Sequence, residues 1–287
     1  MSGHSRQAYY KGFREKQQEG LKAELLIDQV LGYRKLQPHI GGRKLLYLLS
    51  PFMRQHNLEI GRDAFFRLLR EHGLLSRRRR SKPRTTDSGH WLKKYPDLVK
   101  GQPRPEQPCR LWVSDITYLR LNEGDAFLSL VTDVYSRKII GFHVSDSLGA
   151  EGCLLALQMA ISAVKRTAGC IHHSDRGVQY CSKQYVNLLE SNGINISMTQ
   201  SGDPRDNAIA ERVNGILKTE LLKPMFSNKE EAKAAVEKAV SIYNYLRPHS
   251  SLSMLTPALV HGSKPKVKRY WKNYYRKVPA KEVVMSG

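Results

Sequence analysis

The chain has 287 residues, 40% of them hydrophobic, and a formal charge of +21 from 47 Lys and Arg against 26 Asp and Glu. That apolar share suffices for a core and excludes a disordered polymer, while no apolar run reaches the roughly 20 residues of a membrane span. Such an excess of positive charge repels itself unless a polyanion answers it, so nucleic acid is the first partner to consider; an anionic membrane would call for a basic amphipathic helix with aromatic anchors, and none is found.

The opening MSGHSRQAYYKG is polar and basic with no apolar stretch behind it. It is unlike a secretory signal, and the cytoplasm is the expected compartment. Apolar residues at helical spacing predict helices over 22–32, 42–56 and 62–73. Pro51 either ends or kinks the second. The third carries Phe65, Leu68 and Leu69 as its apolar stripe and Arg62, Arg67 and Arg70 on its basic faces, with Gly73 as a C-cap. Three short helices with a basic last member suit a helix-turn-helix whose final helix enters the major groove of double-stranded DNA. A small helical bundle that only positions the chain is the alternative. The run Arg77, Arg78, Arg79 and Arg80 follows as the densest cationic cluster. The expected plan is a helical DNA-binding region over 1–80, a basic linker over 81–108, a core over 109–262, and a basic tail over 263–287. The tail mixes Tyr270, Trp271, Tyr274 and Tyr275 with lysines; it either tracks nucleic acid or folds back on the core.

From residue 110 the period changes to that of strands. Three β-rich runs, CRLWVSDITYLRL, DAFLSLVTDVYS and KIIGFHVSDS, come first, and the short NEGD turn predicts that the first two pair antiparallel. A helix over 150–167, a strand over 169–174, a helix over 182–192, a strand over 194–199 and a helix over 207–222 follow. Three antiparallel strands, then strand–helix alternation, predict an α/β fold: a ribonuclease H-like mixed sheet flanked by helices. Cys109, Cys153, Cys170 and Cys181 form no C-x-x-C pair, which suits a reducing compartment. His172, His173 and Cys181 fit no standard zinc spacing.

Three acids stand out. Asp115 lies mid-strand in W-V-S-D-I-T-Y, with apolar neighbours on both faces, where a charge is costly without a partner. Asp175 ends the strand CIHHS just before Gly177. Sites form at strand ends, although Asp before Gly is also an ordinary turn. Glu211 shares a helix face with Asn214 and Lys218, and Asp206 is a fair N-cap for that helix. Asp203, Asp206 and Asp133 are rival acids, with Asp133 ranked below Asp115. Convergent carboxylates repel one another without a cation. Two magnesium ions roughly 3.5–4 Å apart would relieve the repulsion and clamp the attacking and leaving oxygens of a phosphodiester displacement.

The surrounding strings carry a resemblance. W-V-S-D-I-T-Y, H-S-D-R-G-V-Q-Y (173–180), D-N-A-I-A-E-R-V-N-G-I-L-K-T-E (206–220) and Y-N-Y-L-R-P-H-S-S-L (243–252) occur in that order. Together they resemble the DDE motifs of retroviral integrases and bacterial insertion-sequence transposases, over residues 20–265. The likeness is greatest to the second reading-frame product of elements whose transposase is made by frameshifting. It implies Asp115, Asp175 and Glu211 as catalytic metal ligands, Mg2+ as cofactor with Mn2+ as substitute, and cleavage followed by strand transfer at terminal inverted repeats. It implies that Lys218 touches the element end, that Asn214 contacts DNA, and that Asn207 contacts DNA or supports a ligand. It also implies a homo-oligomer on DNA, in company with a longer fused transposase, and no membrane partner. A non-catalytic DNA-binding relative and a ribonuclease H-type nuclease that cuts without joining are the competing functions.

Overall fold

The computed structural model describes residues 6–76, 90–164, 166–200, 207–263 and 265. The helical N-terminal region consists of α1 (Arg6–Leu36), α2 (Gly42–Gln55) and α3 (Arg62–Glu71). The expected 22–32 helix reaches back to Arg6 because the preceding residues are mostly Lys, Arg, Glu and Gln, good helix formers even without an apolar stripe. Pro51 does not end α2, which runs on to Gln55; its ring removes one hydrogen bond, and packing of Leu45 and Leu49 outweighs that loss. The three helices share a core of Val30, Ile40, Leu45, Leu49, Phe65 and Leu69.

The main body is a five-stranded mixed sheet in the order β3-β2-β1-β4-β5. Its strands are β1 (Leu111–Arg120), β2 (Asp125–Asp133), β3 (Ile139–Ser145), β4 (Ile171–Ser174) and β5 (Asn195–Met198). The first three pair antiparallel, and β4 and β5 extend the sheet in parallel from β1. This is the ribonuclease H-like arrangement predicted from the order of elements.

Strand alternation sorts the side chains to two layers. On one face Leu119, Leu128 and Leu130 meet α7 (Ala208–Ile216) and α8 (Lys229–Ser241) through Val213, Leu217 and Val236. On the other, Trp112 and Val131 meet α4 (Ala150–Ser162) and α6 (Lys183–Ser191), the short α5 (Val178–Cys181) lying before α6. Gly141 lets β3 and α4 touch: a Cβ there would stand 2.0 Å from the Ala156 carbonyl oxygen. Past α8 the chain makes a π-helical turn, Ile242–Leu246, and closes with α9 (Pro257–Ser263). Among the described residues no helix is long and apolar enough to cross a membrane.

Two features lie beyond the sequence expectations. Residues 90–100, read as linker, lie on the sheet's β5 edge. The Met198 amide donates to the Pro96 carbonyl (3.2 Å), the Leu98 amide donates to Ser197 Oγ (2.9 Å), and Leu92 and Tyr95 join the core. An edge strand is thereby protected from foreign pairing. Second, the N-terminal helices are joined to the sheet domain at Glu220, on the π-helical turn Leu217–Leu221 that continues α7. Arg247 donates to Glu220 through Nε and Nη2 (2.9 Å each), Lys44 Nζ lies 3.2 Å away, and the His39 amide bonds the Glu220 carbonyl. Burial pushes the Glu220 carboxyl up, but Arg247 and Lys44 outweigh it and hold the group below the usual range.

Arg247 is 2% exposed, and removal of its partner leaves a buried cation uncompensated. Glu220→Gln is expected to cost about 3–5 kcal/mol in urea denaturation followed by far-UV circular dichroism. A loss under about 1 kcal/mol, the range of surface pairs, would show that solvent already screens the cluster.

Candidate active site

β1 and β4 bring two acids to one place. Their parallel ladder ends at Val113↔His173, and Asp115 and Asp175 each stand two residues further on, Asp115 within β1 and Asp175 just past the end of β4. Alternation puts Asp115 on the face that carries Val113, which packs with Ile209 and Ala210 at the start of α7. Asp175 follows the last residue of β4, where its Oδ1 accepts from the Gly177 amide at 3.0 Å. A Cβ on Gly177 would sit 3.0 Å from that same oxygen and 2.9 Å from Gln179 Oε1, so the tight turn has room only for glycine without a shift.

α7 lays its one face across β1. Asn214 Nδ2 donates to Asp115 Oδ2 at 2.8 Å, and the Ile116 amide donates to Oδ1 at 2.9 Å. One turn on, Lys218 Nζ donates to Thr117 Oγ1 at 3.2 Å. Asn207, which begins the helix, is buried and donates from Nδ2 to the Ser114 carbonyl at 2.8 Å, bracing α7 against the strand beside Asp115. Glu211 sits in the first turn of α7 with an exposed side chain.

Electrostatics tie the three acids together. The Asp115 carboxyl is pushed up to about 7, first by burial, then by the charge of Asp175, with Glu211 adding to it. The Asn214 and Ile116 hydrogen bonds pull the other way and are outweighed. Among the described residues, no three His, Cys, Asp or Glu side chains are gathered into a ready metal cage; the acids interact through space, with Glu211 at the exposed rim. The donors are nonetheless suited to a hard cation. They are carboxylate oxygens, one of them so buried, and so near a second acid, that its ionisation is held back to about pH 7, and the buried Asn214 Oδ1 beside them has no hydrogen-bond partner.

The rival residues are occupied elsewhere or fall outside the described structure. Asp133 is fully buried and accepts from the Cys109 amide (2.7 Å), the Ser136 amide (2.8 Å) and Ser136 Oγ (2.6 Å), a cap for the turn after β2. Asp203 and Asp206 lie outside the described residues, as do Arg77, Arg78, Arg79 and Arg80 and the aromatic tail. His172 is buried between Ser114 Oγ (2.7 Å) and Tyr185 Oη (2.9 Å), and burial lowers its pKa to about 3. His173 Nδ1 meets Ser197 Oγ at 2.8 Å, and Cys181 Sγ points to Met198 Sδ. These three form no metal site, and none of the four cysteines is in a disulfide. On α3, Arg62, Arg67 and Arg70 are exposed, Arg62 paired with Asp63 at 2.8 Å.

Thr117 and the Arg176 carbonyl were not anticipated. Thr117 is in the W-V-S-D-I-T-Y string, two residues past Asp115 on the same face, and alternation could have flagged it. His90 Nε2 bonds the Arg176 carbonyl at 2.7 Å, a contact across 86 residues that no local pattern encodes.

Residues 105–204 and 192–257 each match a family model described as an integrase core domain. Asp115 and Asp175 fall in the first match and Glu211 in the second. The chain is 33% identical over 264 residues to the insertion element IS600 uncharacterized 31 kDa protein of Shigella sonnei, covering 89% of this chain and 94% of that one. It is 34% identical over 214 residues to the putative transposase for insertion sequence element IS986/IS6110 of Mycobacterium tuberculosis, covering 72% and 76%. Among solved structures, a chain of the simian T-cell lymphotropic virus intasome in complex with PP2A regulatory subunit B56 gamma aligns with a TM-score of 0.49 at 18% identity, over 87% of this chain and 78% of that one.

The raised Asp115 pKa has a thermodynamic consequence. Between the unfolded value near 4 and the folded value of about 7, the native state holds a proton that the unfolded chain has lost. Stability therefore falls as pH rises through that window and stays low above it. In metal-free protein Asp115→Asn is expected to melt at least roughly 2–4 °C above the parent at pH 8, with the gap closing toward pH 4. Magnesium should raise the parent's melting temperature and leave the variant unmoved. A variant that melts lower at pH 8 would contradict this account.

Proposed function

Because this chain belongs to the insertion-sequence transposases that carry an integrase core, enzymes of the DDE polynucleotidyl transferase class, we propose that it cleaves DNA at its element's ends and joins them to target DNA through Asp115, Asp175 and Glu211. The observation that carries this reading is the buried Asp115 carboxyl, held by Asn214 of α7 and lying within the field of Asp175 and Glu211, 60 and 96 positions away in sequence. Acids so distant in the chain have no folding reason to crowd a central strand.

Asp115, Asp175 and Glu211 would hold two divalent cations, magnesium or manganese. When bound, these supply positive charge that activates the attacking oxygen and stabilises the leaving one. The chain's own groups prepare the place. Asn214 and the Ile116 amide fix both Asp115 oxygens, so the carboxylate does not have to reorganise as charge develops. A bound cation would favour the ionised form of Asp115, whose proton would pass to solvent. The Gly177 amide sets the Asp175 rotamer. Lys218, which donates to Thr117 two residues beyond Asp115, would meet a DNA phosphate. The exposed arginines of α3 bind the element's terminal repeat in duplex form, and a second copy of the chain brings the other end. The bacterial relatives support action on DNA in the cytoplasm.

Labelled duplexes carrying the element ends, incubated with magnesium, are to be scored for 3′ nicking and for joined products. Glu211→Gln should bind DNA within about threefold of the parent yet cleave roughly 100-fold more slowly or worse, a loss of about 3 kcal/mol in transition-state stabilisation. Unimpaired cleavage would remove Glu211 from the site. Cleavage by the parent without joining would favour a nuclease, and binding without cleavage a regulatory protein. Replacing Arg62, Arg67 and Arg70 together should flatten the salt dependence of binding, by roughly 0.9 in log–log slope per lost phosphate contact; an unchanged slope would remove α3 from the DNA interface.

A further inference from the structure

Trp91 is 91% exposed, more than any other large apolar side chain among the described residues. It is nevertheless firmly seated. The residue before it, His90, bonds the Arg176 carbonyl at 2.7 Å, and the residue after it, Leu92, packs with Tyr95 against the sheet's second core. Arg176 directly follows Asp175. The backbone that carries the indole is therefore tethered beside the turn that follows Asp175, and the indole faces water. A bare indole on a tethered backbone offers a flat face for stacking.

The surrounding charge identifies the partner. Lys93 and Lys94 follow Trp91 and are exposed, with Lys93 Nζ 5.0 Å above the Tyr95 ring, and the Arg176 guanidinium reaches Gln200 at 3.1 Å. A second copy of a +21 chain would bring like charge to this spot, whereas nucleic acid brings phosphates for the cations and bases for the indole. Aromatic side chains with flanking cations bind unpaired nucleotides by stacking, with little regard to sequence. Resting on the proposed cleavage reading, we infer that Trp91 is a stacking platform for an unpaired base beside the scissile phosphate at the DNA end. The stack holds a frayed strand tip in register with Asp175.

The test uses the full chain with two probes of equal sequence, a blunt duplex and a duplex with a short single-stranded tail carrying 5-iododeoxyuridine. Irradiation of the tailed complex should crosslink the tail to the peptide containing Trp91. Trp91→Ala should weaken binding to the tailed probe by about tenfold, with Trp91→Phe within about threefold of the parent and the blunt probe within about twofold for both. An abasic tail should weaken the parent equally and cost Trp91→Ala nothing more. Additive losses on the abasic tail, a crosslink only elsewhere, or unaltered affinity would overturn the proposal. So would loss of a concentration-dependent dimer in Trp91→Ala with DNA binding intact, which would mark a contact between copies. None of these readouts requires cleavage, so a failure of the metal-dependent chemistry and a failure of the stack are separately visible.

Discussion

The burial of one carboxyl on β1, within the field of two other acids, organises this molecule. Asp115 sits on a central strand between a sheet and a helix, a setting that disfavours an ion, and it still receives the field of Asp175 and of Glu211. Two hydrogen bonds relieve it without neutralising it. The remaining architecture can be understood as the means of bringing those acids together. Parallel pairing of β1 with β4 sets Asp115 and Asp175 each two residues past the ladder's last pair. Asn207 fastens the start of α7 to the strand beside Asp115, and the spacing of Glu211, Asn214 and Lys218 follows from the helical repeat.

The same helix leads away from the site to the contact with the N-terminal helices. Nine residues after Glu211, Glu220 accepts from Arg247 and Lys44, the latter at the start of α2. The helix that carries one candidate ligand thus also fixes where the basic α3 stands. A bidentate guanidinium pair is directional, and its desolvation makes breakage costly, so the charge cluster sets an orientation as well as a contact. Residues 90–100 act similarly on the opposite flank, with His90 held beside Asp175 and Tyr95 in the core.

Local chemistry made much of this legible. A charge amid W-V-S-D-I-T-Y advertises itself because strand alternation leaves it nowhere apolar to hide, and the NEGD turn foretells the antiparallel β1–β2 pair. Asp175 alone reads as a turn residue and Glu211 alone as a solvated face; only the strings around them, through family resemblance, singled them out. α8 was overlooked although its signals are present: Asn228 caps it by accepting from the Glu231 amide at 2.9 Å, and Ala232, Val236 and Ala239 form its buried stripe. The Glu220 cluster and the seating of residues 90–100 were illegible because their partners lie 27 to 176 positions apart, beyond any periodicity.

The central claim concerns one carboxyl group, and titrating it is the direct test. Carboxyl 13C resonances of aspartate-labelled protein, with Asp115 assigned by its loss in Asp115→Asn, should show it titrating near 7 without divalent ions and ionised throughout the neutral range once magnesium is added. Asp175→Asn should bring the metal-free value down toward the ordinary aspartate range. An Asp115 that titrates near 4 in metal-free protein, and that neither magnesium nor Asp175→Asn shifts, would contradict the shared carboxylate site.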